Sequence, residues 1–114
     1  MTKQELREYR ALSAELAQLQ ALERAFAEGL VAPHEDTTNP RKVRDIYAHK
    51  QEQAAQQLQR IEAAIEAQPV DDRVLLRAYY VQGLTWEQVA DLLHYTVRQI
   101  HRRHGRALLR LAKD

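Results

Sequence analysis

The sequence predicts an all-α protein, in which a long antiparallel helical hairpin precedes three shorter helices. Glycine and proline number only three each among the 114 residues, and the helix-favouring residues Leu, Ala, Gln, Glu and Arg dominate. Apolar residues recur mostly at steps of three and four along residues 6–30 and 43–65, with Glu23 at a skipped step of the first stretch, as on one face of a helix. Thr2, Thr85 and Thr96 are each followed three residues later by Glu or Gln, the spacing of a capping box that starts a helix.

The first half of the chain is expected to form the hairpin, over residues 1–69. One helix is predicted from Thr2 to Leu30 and a second from about Arg41 to Ala67, joined by the Pro-, Asp- and Thr-rich loop 31–42. The apolar seam of the first helix consists of Leu6, Tyr9, Leu12, Leu16, Leu19, Phe26 and Leu30. That of the second consists of Val43, Tyr47, Ala54, Leu58, Ile61 and Ile65. Such coiled-coil-like seams are compatible with a purely structural hairpin and with an arm for oligomerisation or for binding a partner.

The second half, residues 70–114, is expected to form a domain of three short helices. The first is predicted from about Asp72 to Gln82, with Asp71 or Asp72 as its cap and Gly83 as its end. Its apolar face is expected to contain Val74, Leu75, Ala78, Tyr79 and Val81. The second helix is predicted to start at Thr85, and the third to run from Thr96 to about Ala112.

The last two helices have the pattern of a helix-turn-helix that binds DNA. The chain carries a net charge of +1, but residues 96–114 contain six basic residues against one acidic residue. Projection at 100° per residue places Val97, Ile100, His104, Ala107, Leu108 and Leu111 on one face. The opposite face contains Arg98, His101, Arg102, Gly105 and Arg106. We therefore expect the last helix, about 96–112, to enter the major groove of double-stranded DNA.

Candidate DNA-binding residues follow from side-chain chemistry and from position in that helix. Arginine binds guanine bidentately and glutamine binds adenine, and Arg98, Gln99 and Arg102 lie in the first two turns, which reach base edges. For Arg103 a phosphate contact and a solvated position are equally open. The complete candidate set is Thr96, Arg98, Gln99, His101, Arg102, Arg103 and Arg106.

Several other classes of protein are disfavoured. The chain has no cysteine, so it has neither a disulfide nor a thiolate metal site. His101 and His104 have no third ligand nearby, and no catalytic motif or phosphate loop is visible. The first ten residues contain several charged side chains, which disfavours a signal peptide, and no apolar run is long enough to span a membrane. We expect a cytoplasmic protein with no cofactor, no metal and no enzymatic activity.

The segment "YYVQGLTWEQVADLLHYTVRQIHRRHGRALLRL" resembles the C-terminal helix-turn-helix of sigma factors, region four. Its "GLTWEQVA" matches the phrase GL-[ST]-aromatic-E-x-[IV]-A that precedes the turn in that family. The chain as a whole resembles short phage and prophage proteins whose similar domain ends in "IHGRAL"-type phrases, here matched by His104–Leu108. This resemblance implies a transcriptional regulator of phage genes, acting in the bacterial host cytoplasm, with RNA polymerase as a second candidate partner.

The resemblance has one local departure and leaves alternative functions open. Sigma factors usually have glycine where His94 stands, and the turn often needs a left-handed residue, which histidine adopts less readily. The chain also lacks a promoter-melting region, so a complete sigma factor is not expected. We predict a homo-oligomer, with a dimer favoured, that assembles through the hairpin. An RNA-polymerase-binding module and a DNA-packaging adaptor similar to a small terminase subunit are the alternatives.

Overall fold

The computed structural model describes residues 1–29 and 40–113, and within these ranges it is helical without strands, which confirms the all-α prediction. The elements are α1 (Lys3–Arg7), α2 (Tyr9–Ala27), α3 (Pro40–Glu66), α4 (Val70–Leu76) with a π-helical turn (Arg77–Val81), α5 (Trp86–Leu93) and α6 (Val97–Lys113). None of the helices in this described part has the length and apolarity that crossing a bilayer requires. Most of the predicted loop 31–42, and the seam residue Leu30, lie outside the described residues.

The predicted first helix is interrupted once. Thr2 caps α1, since its Oγ1 accepts a hydrogen bond from the Glu5 N–H at 3.2 Å. The N–H of Glu8 is shared between the carbonyls of Gln4 and Glu5, at 3.2 Å each, and this tightened turn separates α1 from α2. The single helix expected from Thr2 is therefore corrected to two consecutive helices.

The chain divides into two compact units, residues 12–58 and residues 1–11 with 59–114. In the unit 12–58, the end of α2 packs on the start of α3. The Phe26 and Tyr47 rings meet edge to face at 6.4 Å, and Gln51 Nε2 donates to Glu23 Oε2 at 2.6 Å. This pairing is antiparallel, as predicted. The domain boundary at residues 69 and 70 stays a prediction.

The other unit joins α1 and the end of α3 to the three C-terminal helices. Glu5 pairs with Arg60 at 3.2 Å, and the Tyr9 hydroxyl donates to Glu62. Its largest fully buried side chains are Leu6, Ile61, Ile65, Leu75, Leu76, Val89, Ile100 and Leu111. The apolar residues of the predicted seams in α1 and the end of α3 thus contribute to the same core as the C-terminal helices.

The start of α4 differs from the prediction. Its N-cap is Pro69, without a side-chain cap, and both Asp71 and Asp72 lie inside the first turn. The Asp72 side chain is instead buried, and its Oδ2 accepts a hydrogen bond from Arg110 of α6. The expected capping role is wrong, because this carboxylate forms an ion pair with α6 instead. The position of Asp72 in the first turn of α4 is nevertheless favourable for a negative charge, since the helix dipole is positive at that end.

After Leu76 the helix widens into a π-helical turn before it ends at Gly83. The Gln82 N–H donates to the Arg77 carbonyl, five residues back, at 2.9 Å. Such turns are rare and shift every later side chain around the helix axis. Leu76 and Tyr80 are buried, whereas Val74, which was predicted to face inward, is 36% exposed. Gly83 has φ +74, a left-handed conformation that suits glycine at a helix end.

Candidate nucleic-acid interface

Helix α6 has one buried face and one basic exposed face. Ile100, Ala107 and Leu111 are completely buried, and His104 is 7% exposed. Val97 and Leu108, also predicted to face inward, are partly buried. The residues of the opposite face are all exposed: Arg98, Gln99, His101, Arg102, Gly105 and Arg106. The predicted division of this helix into two faces is confirmed.

Helix α5 begins with the predicted capping box. Thr85 Oγ1 accepts from the Gln88 N–H at 3.2 Å, and Gln88 Oε1 accepts from the Thr85 N–H at 2.9 Å. The two bonds satisfy backbone donors that have no partner inside the helix. The local sequence therefore fixes where the first helix of the motif begins.

Helix α6 begins in the same way, with two of the candidate DNA-binding residues. Gln99 N–H donates to Thr96 Oγ1 at 3.1 Å, and Thr96 N–H donates to Gln99 Oε1 at 2.9 Å. Both side chains are thus engaged in holding the start of α6. Gln99 keeps its amide Nε2 as a donor for other groups.

The turn between α5 and α6 is made by a left-handed histidine. His94 has φ 61 and ψ 41. Its N–H donates to the Asp91 carbonyl at 3.3 Å, and the Tyr95 N–H donates to the Ala90 carbonyl at 2.9 Å. These are the two bonds of a Schellman motif, in which the left-handed residue is usually glycine. The turn therefore has the geometry that a glycine would give, with histidine in the strained position.

An aromatic cluster fixes α6 against the helices before it. Tyr79 stacks on Trp86 with ring centroids 3.7 Å apart, and Trp86 lies 4.6 Å from His104. Tyr80 and His104 are joined by a buried hydrogen bond of 2.6 Å between the hydroxyl and Nε2. Both tyrosines lie in the π-helical turn, and both rings approach His104, with centroid distances of 6.1 Å for Tyr79 and 5.7 Å for Tyr80. The cluster is thus a tertiary support for the orientation of α6.

Burial keeps this cluster uncharged. It lowers the pKa of His104 from 6.5 to about 4, with smaller electrostatic contributions from Lys3, His101 and Arg7. Burial likewise raises the pKa of Tyr80 to about 12. A neutral imidazole against a neutral phenol is the form compatible with this site at neutral pH. No pattern in the sequence links Tyr80 to His104, which is 24 residues away.

Two arginines of α6 pair with groups of the protein. Arg110 donates to the buried Asp72. The Arg103 guanidinium lies 4.2 Å over the ring of Tyr95 and 3.9 Å from Asp71. These contacts tie α6 to α4 and to the turn. They place the candidate residue Arg103 at the edge of the exposed face, where its role toward DNA stays a prediction.

Three other arginines form an unpaired row. Arg98, Arg102 and Arg106 are exposed at intervals of four residues, so they follow one another along one side of α6 at about 6 Å per step. Among the described residues, no ion pair or hydrogen bond occupies their guanidinium groups. The ring of His101 lies beside the row, 5.1 Å from that of Trp86. A fixed helix thus presents a row of available cationic donors.

The described residues contain no group of three or more His, Asp or Glu side chains placed to hold a metal ion.

Residues 58–111 match the family described as sigma-70, region 4. The match begins within α3 and includes α4, α5, the turn at His94 and most of α6. No curated protein and no solved structure matches the chain. Residues 58–111 therefore form a sigma region 4-like helix-turn-helix domain, a type of domain that binds DNA.

Proposed function

We propose that the chain is a sequence-specific DNA-binding transcriptional regulator of the phage type, acting in the host cytoplasm. The observation that carries this proposal is the row of Arg98, Arg102 and Arg106, exposed and unpaired on the second helix of a helix-turn-helix. Unpaired guanidinium groups are the donors that recognise guanine edges and phosphates. The "HGRAL" phrase supports the phage type, because it resembles that of phage and prophage proteins.

Helix α6 has the length and the residue order of a recognition helix. Its 17 residues extend roughly 25 Å at 1.5 Å per residue, and a major groove about 12 Å wide admits such a helix. Arg98 and Arg102 occupy its first two turns, the part that reaches base edges. Arg106 and Arg103 follow, and we assign them to phosphate contacts, with His101 between the two groups.

Thr96 and Gln99 have a double role in this proposal. Their side chains close the capping box, so their first role is to hold the start of α6. Recognition of adenine by Gln99 would use the free Nε2 as donor and would require Oε1 to accept from both adenine and the Thr96 N–H. We therefore assign base recognition mainly to Arg98 and Arg102.

Gly105 fits a surface that DNA approaches closely. It lies on the exposed arginine face, and a Cβ added there would meet no atom within 4 Å. Packing against a neighbouring helix therefore does not account for this glycine, which costs about 1 kcal/mol against alanine inside a helix. Close approach of a DNA backbone would account for it, since glycine leaves space for a phosphate.

We further propose that a second copy of the chain covers the helical arm and that the regulator is a dimer. Within the unit 12–58, Leu22 is 42% exposed and Ile46 is 51% exposed. Only Leu19, Ala54 and Leu58 are buried among the described apolar side chains of that unit. A dimer would bind two half-sites separated by one or more turns of the double helix. Light scattering tests the assembly: a dimer is expected, a ring of many subunits would favour a packaging adaptor, and a monomer would contradict dimerisation.

RNA polymerase is the second candidate partner. Leu109 is 66% exposed on α6, the helix that also carries the arginine row. An exposed leucine on a helix-turn-helix suits contact with a protein surface. Purification of the chain with RNA polymerase, combined with no binding to any DNA duplex, would favour this function over the first.

Selection from a random duplex library, followed by titration of the selected site, tests the proposed function. Arg98→Ala and Arg102→Ala should each weaken binding by about 1 to 3 kcal/mol and relax the preference at one position. Arg44→Ala serves as the matched control, because Arg44 is an exposed arginine on α3, and its removal should change affinity little. Absence of DNA binding, or affinity that neither α6 substitution alters, would refute the proposal.

A further inference from the structure

A pocket of about 460 Å³ lies beside the start of α5. Arg7 and Arg10 line it from the N-terminal helices, and Tyr79 and Trp86 line it from the helix-turn-helix domain. All four belong to the same compact unit. The pocket combines two cationic side chains with the stacked pair of aromatic rings, outside the arginine row of α6.

The two guanidinium groups are available to a ligand. Arg7 and Arg10 are exposed and lie three residues apart, so they share one side of the N-terminal helices. No ion pair or hydrogen bond within the described ranges 1–29 and 40–113 occupies either guanidinium. The carboxylate of Glu87 also lines the pocket without pairing with them. No direct contact within the described part of the chain therefore neutralises their positive charge.

The guanidinium of Arg10 lies close to the backbone of Gly83. A Cβ added at Gly83 would lie 2.6 Å from Arg10 Cζ, closer than any side chain tolerates. Gly83 also has φ +74, a left-handed conformation that favours glycine. The guanidinium of Arg10 thus lies beside the end of the π-helical turn, at the wall of the pocket.

The pocket adjoins the basic face of α6 through a single aromatic side chain. Trp86 lines the pocket, and its ring lies 5.1 Å from that of His101, which stands beside the arginine row. Arg7 and Lys3 are also close enough to His104 to help lower its pKa. Trp86 therefore lies between two groups of basic side chains, the arginine row of α6 and the pair Arg7 and Arg10 of the N-terminal helices.

We propose that Arg7 and Arg10 bind a backbone phosphate of the same DNA duplex that α6 contacts. The proposal rests on the proposed function and extends it to residues outside the helix-turn-helix. Guanidinium groups bind phosphate through charge-assisted, bidentate hydrogen bonds, and backbone contacts of this kind fix the orientation of a protein on a duplex without reading its sequence. The N-terminal helices would thereby lengthen the DNA footprint by about one to two phosphates.

Salt-dependent DNA titration of the full chain tests this inference. The double variant Arg7→Gln/Arg10→Gln is compared with Lys42→Gln/Arg44→Gln, which removes the same charge from exposed positions of α3. Loss of one to two phosphate contacts should reduce the slope of log K against log salt by about 1 to 2 and weaken all sequences equally. The control pair should leave the slope unchanged. The single variant Arg7→Gln, which leaves the packing of Arg10 on Gly83 intact, should reduce the slope by up to about 1.

The possible failures are distinguishable. If the wild type binds DNA and depends on Arg98 and Arg102, but the Arg7 and Arg10 variants keep its slope and affinity, this inference is wrong and the proposed function stands. If the wild type binds no duplex, both are wrong. Calorimetric titration with inorganic phosphate and pyrophosphate completes the test: binding that needs Arg7 and Arg10, together with unchanged DNA affinity, would assign the pocket to a small anion and overturn the inference.

Discussion

Mild acid should destabilise the fold through one buried side chain, His104. Its ring is 7% exposed, bonded to the Tyr80 hydroxyl and packed near the ring of Trp86. Burial lowers its pKa from 6.5 to about 4, and electrostatic interactions with Lys3, His101 and Arg7 act in the same direction. The folded protein therefore resists a proton that the unfolded chain accepts.

The sign and size of the effect follow from linkage. Below pH 6.5 the unfolded state binds more protons than the native state, so the free energy of unfolding falls as the pH falls, until the native histidine also titrates near pH 4. With these two pKa values the loss is about 0.8 kcal/mol at pH 6 and about 2 kcal/mol at pH 5. Domains of this size are stable by about 5 to 15 kcal/mol, so the loss is large enough to measure.

Urea denaturation at pH 7.5, 6.0 and 5.0, followed by the fluorescence of Trp86, measures this loss. His104→Gln is the comparison, because glutamine can accept from Tyr80 but does not titrate. The stability of the wild type should fall by about 2 kcal/mol relative to this variant between pH 7.5 and 5.0. Parallel pH profiles for the two proteins would show that the native imidazole accepts its proton at the ordinary pKa, and would refute the reasoning.

Three further substitutions test the turn, the exposed glycine and the ion pair that holds α4. His94→Gly should raise the free energy of unfolding by roughly 1 kcal/mol, because His94 has φ 61 and glycine relieves left-handed strain; a loss would show that the imidazole makes a stabilising contact. Gly105→Ala should stabilise by about 1 kcal/mol and yet weaken DNA binding, whereas unchanged affinity would exclude close approach of a phosphate at this position. Asp72→Asn should lower the free energy of unfolding by about 1 to 2 kcal/mol, because the buried side chain loses its charged hydrogen bond to Arg110. Thermal denaturation at neutral pH measures this loss, and an unchanged stability would show that the ion pair does not stabilise α4.

The helix-turn-helix was predictable because its signals are local. The capping boxes at Thr85 and Thr96 each depend on a residue three positions later, and both form as expected. The division of α6 into a buried and a basic face depends only on helical periodicity. The antiparallel pairing of α2 with α3 likewise followed from two apolar seams separated by a Pro-rich segment.

Other features needed contacts that sequence spacing does not reveal. Three such features are the interruption at Glu8, the π-helical turn after Leu76 and the burial of the Asp72 side chain. Helical periodicity and capping signals predict none of them. The last two coincide with contacts across long sequence distances, such as the bond of Asp72 to Arg110. The sequence showed that His94 stands where glycine is usual. Only the structure shows that this histidine adopts the left-handed conformation of a Schellman motif.

The sequence by itself determined α5 and α6, their capping boxes and the arginine face of α6, because these depend on residues within a few turns of one another. Only the tertiary structure decided which arginines remain available. Arg103 and Arg110 pair with Asp71 and Asp72 of α4, whereas Arg98, Arg102 and Arg106 are exposed and have no ion pair among the described residues. The physical reason is that a guanidinium group binds the nearest suitable partner in space, and the fold brings those partners from distant parts of the chain.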